Sequence, residues 1–329
     1  MLKVLLAIFC LMILIFVHEL GHFIAAKLFH VQVTAFSLGM GPPIVSKQLG
    51  ETTYKLCWLP FGGYCAMVGE DGNTENPRSL LNLVWYKRIV IMLAGVFMNF
   101  VIAFILLCCL IFPYKNIVVP TISAVSDEVT QAYELELGDT LLNVDGFHVF
   151  NANDVAYGDL LDKDGMLNLK VEKANGIIVS KGYPKTVSLI NGLQFTGIEG
   201  TAGAKLGQTF KSGASMVQAV VQSLRLLFTG NVHVNEMSGP VGIVKATAEA
   251  EDSYSFIYMY AFISINLACM NLLPLPALDG GQALVCLIEG VSKKKVPPKI
   301  LATVNAATLV LLMLLIAVVS VSDITKLFH

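Results

Sequence analysis

Four long apolar stretches place the strongest constraint on how this chain of 329 residues can fold. They cover about residues 2–29, 89–112, 256–273 and 300–321, and the third continues beyond a proline-rich break. A helix that crosses a bilayer needs roughly 20 apolar residues. With 55% hydrophobic and only 14% charged residues, the chain also lies outside the range of ordinary soluble domains. The sequence therefore predicts a polytopic α-helical membrane protein with four transmembrane helices.

The first stretch has an alternative interpretation as a secretory signal peptide. Lys3 precedes an apolar run that ends near Val17, which is the pattern of such a peptide. No cleavage site of small residues follows, and apolar residues resume from Phe23 to Phe29 after a polar cluster. We therefore treat the first stretch as a membrane span.

Positive charges in two short loops predict the orientation. The loop after the first span ends with Arg78, Lys87 and Arg88, and the loop after the third carries Lys293, Lys294, Lys295 and Lys299. Loops rich in Lys and Arg stay in the cytoplasm, so we expect both termini and residues 114–255 on the outer side of a bacterial inner membrane. The near-balanced net charge of −2 gives no reason to expect a nucleic-acid partner, because neutralising phosphates needs a clustered basic surface.

The first span contains His18-Glu19-Leu20-Gly21-His22, an H-E-x-x-H pattern. Residues four apart share a helix face, so both imidazoles can reach one metal ion while Glu19 acts as a base toward water. A soluble helix could carry the same pattern as solvated charge. Inside a hydrophobic span, however, each uncompensated ionisable group costs a few kcal/mol or more. A shared metal ion would compensate for the burial of His18, Glu19 and His22. The alternative is a polar cluster that packs helices together or a path for protons.

A zinc site with two histidines lacks one protein ligand, since catalytic zinc usually has three besides water. Asp279 is the best candidate in this sequence. Pro274 and Pro276 break the third span just before it, and Gly280 and Gly281 allow a turn or a close approach of the backbone. The alternative is that Asp279 only caps the helix that starts near Gly280.

These motifs together resemble the site-2 protease family, in the RseP-like branch of regulated intramembrane zinc metalloproteases, over essentially the whole chain. The resemblance implies a single Zn²⁺ ion held by His18, His22 and Asp279, with Glu19 as the catalytic base. It also implies cleavage within or near the transmembrane segments of single-pass membrane proteins, such as an anti-sigma factor or a remnant signal peptide.

Further matches imply residues that hold the substrate. Residues 36–41 and 59–64 resemble the two sides of the family's membrane-associated β-hairpin, in which Gly62 and Gly63 would contact an extended substrate. Asn271 matches a residue that positions the substrate backbone. For Asn266, helix–helix hydrogen bonding is an equal alternative.

The second span carries a weaker match at residues 94–100, where Val96 replaces a proline common in the family. We expect Gly95 to pack closely against the helix that bears the histidines. Asn99 would orient a ligand histidine or the substrate.

The outer segment contains Leu137-Gly138-Asp139-Thr140-Leu141-Leu142-Asn143-Val144-Asp145-Gly146, which is similar to a strand and turn of a PDZ domain. Strands are expected over Leu167–Val171 and Lys185–Ile190, with hairpin turns at Asp164-Gly165 and Asn175-Gly176. One PDZ-like α+β domain fits this length, either to bind peptides or to exclude folded substrates by size.

The predicted organisation has four parts. Residues 1–112 hold two spans and the hairpin, 113–197 the PDZ-like domain, 198–255 a linker, and 256–329 the last two spans. The linker contains an amphipathic stretch at residues 216–228 and a family match at Ser238-Gly239-Pro240-Val241-Gly242-Ile243. We expect this region to lie along the outer membrane surface, where it would either couple the outer domain to a substrate gate or pack passively. The sequence does not determine the oligomeric state.

Two other classes of protein are compatible with these features. A membrane scaffold or chaperone that uses its PDZ-like domain would still function after Glu19→Gln. A metal or proton transporter would move ions across vesicles and would not need Glu19 as a base.

Overall fold

The computed structural model describes residues 2–70, 75–160, 165–229, 239–250 and 252–327. The helices are α1 (Leu2–Leu28), α2 (Trp85–Ile111), α3 (Asp127–Tyr133), α4 (Asn153–Leu160), α5 (Ala202–Phe228), α6 (Pro240–Ala248), α7 (Ser253–Asn271), α8 (Asp279–Ser292) and α9 (Pro298–Leu327). The strands are β1 (Val33–Leu49), β2 (Thr52–Met67), β3 (Asn116–Val125), β4 (Thr140–Val144), β5 (Phe147–His148), β6 (Met166–Glu172), β7 (Ile178–Pro184) and β8 (Leu193–Glu199).

The chain divides into two compact units. The first comprises residues 1–103 and 225–329, and the second comprises residues 104–224. The helices α1, α2, α7 and α9 are, within the described ranges, the ones long and apolar enough to cross a membrane. They coincide with the four predicted stretches. The continuation after the third stretch is a separate helix, α8, because Pro274 and Pro276 end the regular backbone hydrogen bonding of α7.

Strands β1 and β2 form an antiparallel hairpin that folds back on itself. Phe36 pairs with Cys65 on one side and with Tyr54 on the other. This double pairing requires both strands to bend, and they do so near Gly39 and Gly62, whose φ angles of +81° and +76° favour glycine. Two long strands thus build a small sheet of four segments.

The hairpin is fixed to α1 by packing and by charge. The rings of Phe36 and Phe23 lie 5.2 Å apart, edge to face. At the hairpin turn, the Glu51 carboxylate lies 2.5 Å from Lys27 Nζ and 2.5 Å from Arg78 Nη1. These hydrogen-bonded cations hold the pKa of the Glu51 carboxyl at about 2. The Glu51 carboxylate is therefore ionised at neutral pH and can pair with both cations.

The second unit is built on a sheet with the strand order β7-β6-β4-β3-β8, with β5 paired to β4. Its core consists of inward-facing apolar side chains of the strands together with α3, including Ile122, Val129, Tyr133, Leu141, Val144, Leu167, Leu169, Val171 and Leu193. The predicted strand over Leu167–Val171 is confirmed by β6, and the predicted turn at Asn175-Gly176 joins β6 to β7. Asp164 lies outside the described residues.

The predicted strand over Lys185–Ile190 is wrong. The strand that pairs with β6 is Ile178–Pro184, and residues 185–190 form a loop. The Tyr133 hydroxyl accepts from the backbone N–H of Val187, at 3.2 Å, and donates to its carbonyl oxygen. A side chain therefore occupies the backbone groups that a strand partner would need.

Helix α5 begins at Ala202, well before the predicted amphipathic stretch, and is anchored within the second unit. The buried Asp154 carboxylate accepts hydrogen bonds from Ser215 Oγ of α5 and from the backbone N–H groups of Phe150 and Asn151. Burial raises the pKa of the Asp154 carboxyl. The predicted domain 113–197 lies inside this unit; its PDZ-like character stays a prediction.

Helix α6 is held at its first turn by a carboxylate of α9. The backbone N–H groups of Gly239 and Gly242 donate to Asp323 Oδ2 at 2.9 and 2.8 Å. Free N–H groups at a helix N-terminus favour an anion. This contact accounts for both glycines of the predicted segment, whose first residue, Ser238, lies outside the described residues.

Candidate metal centre

Helix α1 places His18 and His22 on one face, one turn apart. Both residues are only 7% exposed, and their Nε2 atoms lie 3.3 Å apart. The sequence sets this arrangement, because residues i and i+4 of a helix are neighbours.

Asp279 comes to the same place from the other end of the chain. It is the first residue of α8, and Leu278 at the cap position makes no side-chain hydrogen bond. The Asp279 Oδ2 atom lies 3.1 Å from His18 Nε2 and 3.4 Å from His22 Nε2. The carboxylate is therefore directed at the histidines rather than at the backbone of its own helix.

The three atoms suit a metal ion. They form a nearly equilateral triangle with sides of 3.1, 3.3 and 3.4 Å. Tetrahedral ligands at the usual zinc distances, about 2.0 to 2.2 Å, are separated from one another by roughly 3.3 to 3.6 Å. Asp279 Oδ2 is also buried and, among the described residues, accepts no hydrogen bond of acceptable geometry despite its closeness to both rings. A shared cation would satisfy all three atoms.

Helix α2 fixes the orientation of both imidazole rings. His22 Nδ1 lies 2.8 Å from the carbonyl oxygen of Ile91, which only accepts, so this nitrogen carries the proton. His18 Nδ1 lies 3.0 Å from Asn99 Nδ2, and Asn99 Oδ1 is buried and accepts no hydrogen bond from the described residues. Turning the amide over exchanges these two atoms, so that Oδ1 accepts from a proton on His18 Nδ1. With the amide in this orientation, both neutral rings carry their proton on Nδ1 and present the lone pair of Nε2 to the centre.

Two glycines let α1 and α2 approach closely enough for these contacts. A Cβ atom at Gly95 would lie 2.3 Å from His22 Nε2 and 2.8 Å from His18 Cε1. A Cβ atom at Gly21 would lie 2.4 Å from the carbonyl oxygen of Ala94. The predicted close packing of Gly95 and the predicted contact of Asn99 with a histidine are thus both present.

We expect Asn99→Ala to weaken metal binding without unfolding the protein. His18 Nδ1 would lose its partner, and loss of such an outer contact costs about 10- to 100-fold in metal affinity. Zinc titration against a competing chelator measures this effect. Asn99→Asp, whose carboxylate can accept from the Nδ1 proton, should retain more affinity than Asn99→Ala; equal losses would contradict the orienting role.

The other predicted site residues lie on two elements. On β2, a Cβ atom at Gly63 would lie 3.1 Å from Glu19 Cγ, so the hairpin backbone meets the face of α1 that carries Glu19. Neighbouring Gly62 packs against Met40. Asn266 and Asn271 are half-buried residues of α7, and Asn271 ends that helix.

Sequence reasoning missed two contributors to the site. The carbonyl oxygen of Ile91 has no side-chain signature, so no pattern could have revealed it. Ser264 of α7 donates from its hydroxyl to the carbonyl oxygen of Asn99 at 2.8 Å. The sequence did carry a sign of this contact, because Ser264 is a polar residue within an apolar span.

The four helices long enough to cross a membrane and the buried donor triangle point to one class: multi-pass membrane proteins whose helices could hold a metal ion between them. The profile of peptidase family M50 matches residues 6–315, nearly the whole chain, and the chain belongs to this family. This result confirms the predicted site-2 protease family and makes the chain a member of a metallopeptidase family.

Curated relatives are similar over nearly their full length. Proteins named "Putative zinc metalloprotease" are 35% identical in Clostridium perfringens, 33% in Clostridium acetobutylicum and 33% in Fusobacterium nucleatum. The alignments cover 94%, 98% and 99% of this chain and 95%, 97% and 99% of the relatives, in the same order.

Proposed function

We propose that this protein is an intramembrane zinc metalloprotease that hydrolyses peptide bonds within or near the transmembrane segments of single-pass membrane proteins. The observation that carries the proposal is the triangle of His18, His22 and Asp279, brought together from helices at opposite ends of the chain. Membership of peptidase family M50 and the names of the relatives support zinc as the metal.

Each residue of the centre has a chemical role in the proposal. His18, His22 and Asp279 hold one zinc ion. When bound, zinc polarises the scissile carbonyl and makes water more acidic. Glu19 accepts the proton of the attacking water and delivers it to the leaving amine nitrogen.

The hairpin is the proposed site for an unwound substrate. A peptide bond inside a helix is shielded, so the substrate must extend before cleavage, and strand addition to a sheet edge holds an extended chain. Gly62 and Gly63 would contact this strand beside Glu19, and the amides of Asn271 and Asn266 would bind its backbone. Large apolar side chains exposed on the hairpin support its association with membrane lipid: Met40, Ile44, Val45, Leu49, Leu56, Trp58 and Leu59.

The lysine- and arginine-rich loops support the proposed orientation. The metal centre would lie toward the cytosolic side of a bacterial inner membrane and the PDZ-like domain, residues 113–197, on the outer side. There the domain would bind peptides or exclude substrates that still carry a folded outer part. A shortened anti-sigma factor or a remnant signal peptide would pass such a size filter.

Paired substitutions test the proposal on purified protein with a tagged single-pass substrate. We expect Glu19→Gln to bind as much zinc as the parent while cleavage falls by about 10²- to 10⁴-fold, because the base is lost. Asp279→Asn should lose zinc to a chelator that the parent resists. Glu128→Gln, the same change at an exposed glutamate of α3, is the matched control and should change neither quantity.

The same assay separates the other classes of function. Normal cleavage by Glu19→Gln would refute the protease assignment. A scaffold would bind the substrate and leave it intact in every variant. A transporter would carry zinc into vesicles with or without Glu19.

A further inference from the structure

A buried ion pair joins the beginning of α2 to the end of α8. Arg88 Nη1 lies 2.6 Å from Glu289 Oε2, and the two side chains are 9% and 10% exposed. The other carboxylate oxygen of Glu289 accepts a hydrogen bond from the backbone N–H of Val296 at 2.8 Å. Removing two charges from water is costly, and well-packed apolar residues often stabilise a protein as well as such a pair. Stability alone therefore does not explain the pair.

A second contact lies beside it. A Cβ atom at Gly290 would lie 2.4 Å from Cγ and Cδ2 of Trp85, so the indole packs directly on the backbone of α8. Apolar contacts between helices permit small slides and rotations, whereas a hydrogen-bonded ion pair restricts its partners to a narrow range of distances and angles. The ion pair and the Trp85 ring together fix the position of α8 on α2, both along the axis of α8 and in rotation about that axis.

This fixed end of α8 is connected to the metal centre by a rigid helix. Asp279 is the first residue of α8, and Glu289 follows ten residues later, about 15 Å along a helix axis at 1.5 Å per residue. The same α2 helix carries the carbonyl, the glycine and the amide that contact the two histidines. Helix α2 is thus the common support of all three donor residues.

We infer that Arg88 and Glu289 are positioning residues of the metal centre. They set the register of α8 on α2, and this register places Asp279 at the distance from both histidines at which all three can share one metal ion. The inference rests on the proposed function, because Asp279 must be a ligand for its placement to matter.

Zinc affinity and thermal melting of the purified full chain test the inference, with the zinc ion alone as the probe. The Glu289→Gln variant leaves Arg88 buried without a charged partner, so it should lower both the zinc affinity and the melting temperature. The Arg88→Met/Glu289→Leu variant removes both charges and should melt close to the parent. Its zinc affinity should nevertheless fall by about 10-fold, the lower end of the loss seen when a group that orients a metal ligand is removed.

An exposed ion pair serves as the control. Lys181→Met/Glu134→Gln removes a pair on the second unit that is 49% and 62% exposed, and it should change neither measurement. A double apolar variant that binds zinc within two-fold of the parent would overturn the inference. If that variant has no melting transition, Gly290→Ala decides, because it displaces α8 against Trp85 with both charges in place: unchanged zinc affinity would overturn the inference, and reduced affinity supports it.

The parent protein separates the two proposals. A parent that binds no zinc contradicts the proposed function, and the inference fails with it. A parent that binds zinc through Asp279, together with variants that bind it equally well, contradicts only the inference about Arg88 and Glu289.

Discussion

Replacing Gly95 by alanine is expected to abolish zinc binding and proteolysis together. The new methyl carbon would lie 2.3 Å from His22 Nε2 and 2.9 Å from His18 Nε2, which are the two nitrogen atoms proposed to hold zinc. The rings cannot turn away without losing the contacts of their Nδ1 atoms with Ile91 and Asn99. Displacement of reacting groups by about 1 Å can reduce activity about 10²-fold, and displaced ligands would reduce it further.

Moving α1 away from α2 would relieve this clash only by breaking the close contact between the two helices. Helix α1 already contacts α2 through Gly21, where a Cβ atom would lie 2.4 Å from the Ala94 carbonyl oxygen. Zinc content and cleavage of a tagged membrane substrate measure the effect. The control is Gly203→Ala in α5, where a Cβ atom meets nothing within 4 Å. A Gly95→Ala protein that retains zinc and cleaves normally would show that the centre does not depend on this close approach.

Replacing Gly281 by alanine should remove the third ligand while the histidine pair stays in place. A Cβ atom there would lie 2.1 Å from the Leu275 carbonyl oxygen and 2.8 Å from Pro276 Cα. These are backbone atoms of the proline-rich break, so the first turn of α8 must move away, and Asp279 moves with it. We expect zinc affinity to fall and cleavage to drop at least about 10²-fold, as for misplaced catalytic groups.

A chelator titration distinguishes this variant from Gly95→Ala. With two ligands left, the Gly281→Ala protein should still take up zinc at high concentration, whereas the Gly95→Ala protein should not. Gly203→Ala is again the control for a glycine-to-alanine change in a helix. Cleavage by Gly281→Ala within two-fold of the parent would contradict the role of Asp279.

Much of this architecture followed from local patterns. The length of an apolar run reports a span because the bilayer requires about 20 residues, and each of the four predicted stretches corresponds to one helix. The strand over Lys185–Ile190 failed for a tertiary reason. Its residues alternate as a strand does, yet the hydroxyl of Tyr133, distant in sequence, bonds the backbone at Val187.

The hairpin shows a similar limit. The sequence predicted a hairpin with sides at residues 36–41 and 59–64, but the pairing of Phe36 with both Cys65 and Tyr54 depends on how the bent strands meet in space. The substrate contact of Gly62 and Gly63 stays a prediction, and the closeness of Gly63 to Glu19 emerged only from the fold. The roles of Asn266 and Asn271 stay predictions.

The sequence by itself determined which donor groups the proposed centre contains. An H-E-x-x-H pattern inside an apolar span places two imidazoles on one helix face, and the cost of burying ionisable groups there demands a partner. Only the tertiary structure decided how that partner is held. The contact of Asp279 with the histidines, the Ile91 carbonyl, the space left by Gly95 and the Arg88–Glu289 pair join residues far apart in the chain. Such contacts depend on how helices pack, and no local pattern specifies that packing.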